Sequence, residues 1–346
     1  MHSWKTYLRD RPRTAWMLFF VLAFYALALW AEVLSEDGGS SARQDGRLST
    51  AELRQREAVF AQNLQKNPGL VRAFSLSFLF LLGAGLALDL HALTAKRAGR
   101  PFWGSRPGEA GAPWGLGGVF EFFVLLFFIE TALTGTEIVA GVFIRWDGPQ
   151  KDFLLVANSF VRDVLVAVLV IFAVKKKFCL PLSRLGLTAK DWGLNIFRGL
   201  AGYLAVIPWL VLILAASAAA ARFFSYEPEP QEIVQIYLAE SARRYFLFFT
   251  LFVTVVGPVA EEIFFRGFVY GAFRKKFGTV AGALAAASLF SAMHMSLVAF
   301  LPILCLGLFL IYLYEKTGSL VPSITAHIAH NLAMVAFTMS FKWLSV

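Results

Sequence analysis

Nine apolar runs, each close to the roughly 20 residues that carry a helix across a bilayer, take up most of this chain. They fall at about 15–34, 70–90, 115–144, 153–174, 196–224, 245–273, 278–296, 298–315 and 319–341. A water-soluble fold has no interior large enough for so many. The pattern therefore predicts an all-α, polytopic transmembrane bundle of eight or nine spans. Eight applies if the short 278–296 run and its neighbours pack as re-entrant pieces.

Composition agrees. The chain is 58% hydrophobic and 16% charged, with 35 phenylalanines, whereas soluble domains average about 25% charged residues. The net charge of +9 is not a nucleic-acid signature, because the basic residues sit between apolar runs, with no basic groove of interleaved aromatics. Lys5, Arg9, Arg11 and Arg13 precede the first run. Lys96, Arg97, Arg100 and Arg106 (against Glu109) follow the second, Lys175, Lys176, Lys177, Arg184 and Lys190 the fourth, and Arg274, Lys275 and Lys276 the sixth. If every run crosses once, all four groups share one side, which the positive-inside rule makes cytoplasmic. The alternate loops are balanced or acidic, as with Glu227, Glu229, Glu232 and Glu240; Arg243 and Arg244 run against the trend. The reading is a multi-pass protein of the plasma membrane with a cytoplasmic N-terminus, surrounded by membrane lipid. The basic start and first apolar run also fit a cleaved signal peptide, with "ALA" before Leu29 as the processing site. The run is long for that purpose, which favours an uncleaved span. Cys179 and Cys305 are far apart in apolar surroundings and suggest neither a disulfide framework nor a thiolate zinc site.

Two further helices are expected outside the spans. Over 49–66, Ser49 and Glu52 form a capping box and Pro68-Gly69 closes the segment, giving an external amphipathic helix. Over 183–200, mixed basic and apolar residues suggest an interfacial helix. The chain divides into N-terminal transmembrane helices over 1–180 and a chemically loaded transmembrane core over 181–346.

The loaded part centres on "PVAEEIFFRG", Pro258 to Gly267. Ionisable groups inside a membrane cost about 2.5–3.5 kcal/mol each on insertion scales and mark function when unpaired. Glu262 and Arg266 stand at i,i+4, in the favourable ion-pair order. Glu261 lies about 100° round the helix and needs another partner. A salt bridge plus a capping glutamate would explain the segment without chemistry. The histidines shift that balance. Three of the chain's five lie in its final 53 residues: His294 in "FSAMHMS", and His327 and His330 in "SITAHIAHN", where Asn331 shares a face with His327. Together they supply a carboxylate base, imidazoles and an amide donor, the parts needed to activate water and hold an oxyanion. Lower in rank are Glu121, Glu130 and Glu137 along the third run and Arg162-Asp163 in the fourth. These either line a water-filled cavity or pair across helices. Asp89 and His91 sit near a membrane border.

In order, "EEIFFR", "FSAMH" and "HIAHN" match E-E-x-x-x-R, F-x-x-x-H and H-x-x-x-N motifs. Over about 183–341 the chain resembles the CPBP intramembrane proteases, which include type II CAAX prenyl endopeptidases and bacteriocin-processing or immunity-associated proteins. The resemblance implies an intramembrane endopeptidase acting on a peptide or lipidated protein substrate. In it, Glu261 activates water, His294 assists, His327 and Asn331 form the oxyanion hole, and Glu262 and Arg266 are structural support. His330 is read as packing. A zinc bound by Glu261, His294 and His327 is an alternative. A metal-free mechanism is preferred, because no H-E-x-x-H spacing occurs and an amide is a poor zinc ligand. A non-proteolytic relative acting in binding or immunity, and a proton-coupled transporter, stay open. On straight helices these residues lie at different depths, so the helices must break, tilt or stagger, with Gly257-Pro258 and Pro322 as candidate places.

Overall fold

The computed structural model describes residues 4–34, 48–100, 102–103, 112–226, 231–239 and 242–346. Arg106, Glu109, Glu227, Glu229 and Glu240, named above, lie outside the described residues. The chain opens with α1 (Trp4–Arg9), α2 (Pro12–Leu34), α3 (Thr50–Lys66), α4 (Pro68–Arg97) and α5 (Leu116–Phe143). Next come α6 (Gly148–Phe172), α7 (Trp192–Phe223), α8 (Glu232–Leu238), α9 (Ala242–Leu251) and α10 (Gly257–Glu262). α11 (Tyr270–Ala292), α12 (Leu297–Thr317) and α13 (Val321–Leu344) complete the bundle. There is no strand among the described residues.

Among the described residues, seven stretches are long and apolar enough to cross a membrane, and the chain is an integral membrane protein. The sequence count of nine differs from this for two reasons. Arg244–Ala292 is one continuous helical stretch of 49 residues, yet it is folded in two at Gly278. That residue's φ of 79° and ψ of 178° are open to glycine and strained for any side chain. The reversal brings the rings of Phe265 and Phe290 to 5.1 Å, where a straight helix would hold them about 37 Å apart. α13, with 24 residues, is long enough to span, but His327, His330 and Asn331 lower its hydropathy.

The basic loops lie on one face of the bundle. Glu121, at the start of α5, pairs with Arg11 and with Lys177, the latter at 3.4 Å. Lys275 Nζ donates to Pro113 O at 3.1 Å, and Arg274 pairs with Glu315 at 3.0 Å. The opposite face carries α3, whose capping box forms as expected: the Ser49 amide donates to Glu52 at 2.7 Å and the Glu52 amide to Ser49 Oγ at 3.2 Å. These donors hold the Glu52 carboxyl below its usual range. α3 is fixed by Asn63 Nδ2 donating to Leu344 O at 2.9 Å and by Phe60 against Phe341. The interfacial helix expected over 183–200 is absent as a separate element. A 3₁₀ turn, Leu182–Leu185, is followed by the first turns of α7.

α7 is the central packing helix, in contact with α4, α12 and α13. Small residues let the backbones meet, as is usual between membrane helices. A Cβ added at Gly199 would lie 2.6 Å from Pro322 O and 2.6 Å from Thr325 Cβ. Gly199→Ala is therefore expected to push α13 away and to cost about 1–3 kcal/mol, in the range of overpacked cores. Thermal unfolding in detergent measures it; an unchanged midpoint would show that this crossing is loose.

Candidate active site

The polar residues are brought together by interruptions in the helices around α10. In the π-helical turn Phe252–Val256 the Gly257 amide bonds Phe252 O, five residues back. The same register would have Val253 O accept from residue 258, which is proline and has no N–H. A buried carbonyl without a partner is costly, and Asn331 Nδ2 reaches across from α13 to donate to Val253 O at 2.7 Å. Pro258 thus creates the need that Asn331 fills. A second π-helical segment, Ile263–Val269, follows α10 at once. The glutamate pair stands between the two, and such π segments are frequent at functional sites.

The two glutamates have different surroundings. Glu262 and Arg266 side chains are 0% and 1% exposed, 2.7 Å apart. Glu262 Oε1 also accepts from His327 Nδ1 at 2.9 Å. The other ring nitrogen of His327, Nε2, faces Glu261 Oε2 at 3.7 Å, and the Glu261 side chain is 29% exposed. One histidine therefore links a sealed carboxylate to an open one. His294 follows α11, and its Nδ1 lies 2.8 Å from Phe290 O. A carbonyl only accepts, so Nδ1 carries the hydrogen and Nε2 keeps its lone pair.

Phe290 organises the site. Its ring meets His294 at 4.8 Å and His327 at 5.9 Å edge to face, and the Arg266 guanidinium lies 4.3 Å over it. Sequence reasoning quoted this residue only as the first letter of a motif, yet a large aromatic four residues before a membrane histidine was the available signal. His330 makes an edge contact with Tyr203 at 5.8 Å. The lower-ranked charges are paired: Arg162 with Glu130 at 3.1 Å and with Asp163 at 3.0 Å, and Asn158 Nδ2 with Glu137 at 2.5 Å. Trp209 Nε1 donates to Asp89 at 2.8 Å. Sequence reasoning ranked Asp163 low, but it lies within electrostatic range of Glu261 and of His294.

Among the described residues, no three His, Cys, Asp or Glu side chains converge with metal-binding geometry. Both His327 nitrogens already face carboxylates. As placed, Glu261, His294 and His327 do not form a three-ligand cluster.

Residues 243–333 match the family model described as type II CAAX prenyl endopeptidase Rce1-like. This segment is similar to that family. It contains Glu261, Glu262, Arg266, His294, His327 and Asn331, so every motif residue falls inside it. The matched segment runs from the start of α9 into the middle of α13, taking in both π segments and the Gly278 reversal. No curated protein and no solved structure matches the chain.

Proposed function

We propose that this protein is an intramembrane endopeptidase that cleaves a membrane-associated or lipidated peptide with a water activated by Glu261. The observation that carries the reading is the contrast within the pair: Glu262 is sealed against Arg266, while Glu261 is open and faces His327. Only the open carboxylate can reach a water. In the reaction, water oxygen attacks the peptide carbonyl as Glu261 takes its proton, and His294 Nε2 holds the water's second hydrogen. The tetrahedral oxyanion is held by the second amide hydrogen of Asn331 and by His327, which donates from Nε2 as the imidazolium because its Nδ1–H is committed to Glu262. When the C–N bond breaks, Glu261 returns the proton to the leaving amine, which closes the balance without a metal.

Our reading puts the N-terminus and the basic loops in the cytoplasm, which their charge supports, and the substrate in the plasma membrane. Protein purified in detergent is incubated with lipidated and unlipidated peptides in water enriched in ¹⁸O. The expected result is a cut peptide with the heavy isotope in its new carboxylate. Peptides that bind but stay whole would point instead to a non-proteolytic binding protein. Chelation with phenanthroline is expected to leave the rate unchanged, whereas loss restored by zinc would overturn the metal-free mechanism.

Asn331→Ala is expected to act twice. It leaves Val253 O unpaired, at a cost of about 1–3 kcal/mol, and it weakens oxyanion support. Activity per folded molecule and unfolding midpoint, measured on one preparation, separate the two effects. A variant normal in both would remove Asn331 from the site.

A further inference from the structure

The seam between α5 and α6 holds a ladder of polar groups that the reaction above does not use. Counting from the loop 144–147 that joins these helices, at about 1.5 Å per residue, Glu137 and Asn158 come first. Glu130 and Arg162 follow at greater depth, and Asp163 ends the series on the helix that packs against α10, within electrostatic range of Glu261 and His294. Each rung is bonded: Asn158 to Glu137 at 2.5 Å, and Arg162 to Glu130 at 3.1 Å and to Asp163 at 3.0 Å.

The rungs face inward. On α6, Val161, Leu165, Val168 and Phe172 are exposed and form the lipid side, whereas Val156, Val166, Ala167 and Val170 are buried. Asp163 is seven residues after Val156 and four before Ala167, and so belongs to the buried side. On α5, Glu130 and Glu137 continue the face of the buried Val119 and Leu126. These charged side chains are nevertheless not sealed: Glu130 is 34% exposed, Arg162 27% and Asp163 15%, against 0% and 1% for Glu262 and Arg266. Charged surface left open at membrane depth faces water or carries a penalty of several kcal/mol in hydrocarbon.

We infer that the α5–α6 seam is a water-filled inlet, entered from the face that carries loop 144–147 and ending at Asp163, and that it delivers the hydrolytic water to Glu261. The inference rests on the reading of Glu261 as the group that activates water. The inlet lies opposite the basic loops, so water and substrate reach the site from different directions. Asp163 is a positioning residue here: its carboxylate accepts a hydrogen from the water that passes between the seam and the Glu261–His294 pair.

The test is accessibility of introduced thiols to Ag⁺, an ion small enough for a narrow path. In a background of Cys179→Ser and Cys305→Ala, single cysteines are placed by Ser159→Cys, Asp163→Cys and Val161→Cys. Ser159 lies on the inward side and leaves every ion pair intact, while Val161 is the lipid-facing control. Proteoliposomes in nitrate buffer are exposed to Ag⁺, then denatured, and the remaining thiols are counted with a maleimide. Because the thiolate in water is the reactive form, Ser159→Cys and Asp163→Cys should be blocked about tenfold faster than Val161→Cys. If Ser159→Cys is as slow as Val161→Cys, the seam is dry and the inlet is wrong. If Asp163→Cys does not fold, judged by its elution as a single species, Ser159→Cys still decides. Labelling reads water and not cleavage. A parent protein that cuts no peptide thus leaves the inlet standing, and a dry seam leaves the peptidase reading standing.

Discussion

Glu261→Gln is expected to lower kcat by about 10³-fold, within the range supplied by a positioned general base, with KM nearly unchanged. Glutamine keeps the shape and a hydrogen-bonding oxygen beside His327, so substrate binding and folding should persist. What disappears is the ability to take a proton from water, an interaction made only on the way to the transition state. The measurement is a cleavage progress curve on detergent-purified protein whose unfolding midpoint matches the parent. Cleavage at the parent rate would remove Glu261 from its role. The neighbour supplies the contrast. Glu262 is sealed by Arg266 and His327, so Glu262→Gln should reduce the yield of folded protein more than the turnover of what folds.

Arg266→Met is expected to be the most damaging single change to stability. It leaves the Glu262 carboxylate with no cation except His327, in a place with no access to water. Breaking one partner out of a buried pair costs about 3–5 kcal/mol, and Arg266 also gives up its place over the Phe290 ring, 4.3 Å away. The double variant Glu262→Gln with Arg266→Met removes both charges and should be more stable than Arg266→Met alone. Unfolding of the two singles and the double in one detergent gives the coupling directly. Equal, additive losses would show that the pair contributes little and that its burial serves no structural end.

Much of the bundle was legible because each span carries its own signal. An apolar run of membrane length needs no information from elsewhere in the chain, and the runs at 15–34, 115–144 and 298–315 correspond to α2, α5 and α12. The capping box at Ser49 and Glu52 was readable for the same reason: its donors and acceptors are three residues apart. The interfacial helix over 183–200 was misplaced because its amphipathic pattern could not show that α7 begins at Trp192 and is one long helix. The Glu262–Arg266 pair was also local, an i,i+4 contact. By contrast, the partners of Glu261 and Asn331 are fixed by helices far away in sequence, and no spacing announces them.

The sequence by itself determined that the chain lives in a membrane, where most of its apolar helices fall, and which acids, imidazoles and amide are available for chemistry. These follow from the free energy of placing apolar and ionisable groups in hydrocarbon, which each segment meets alone. Only the tertiary structure decided which glutamate is sealed and which is open, and that His327 stands between them. It also decided that Asn331 answers the carbonyl left over by Pro258 and that α6, with Asp163, packs against α10. Those outcomes depend on how π turns and the reversal at Gly278 shift one helix against another. A shift of a single turn there exchanges a buried partner for an exposed one, and nothing within one helix records which has happened.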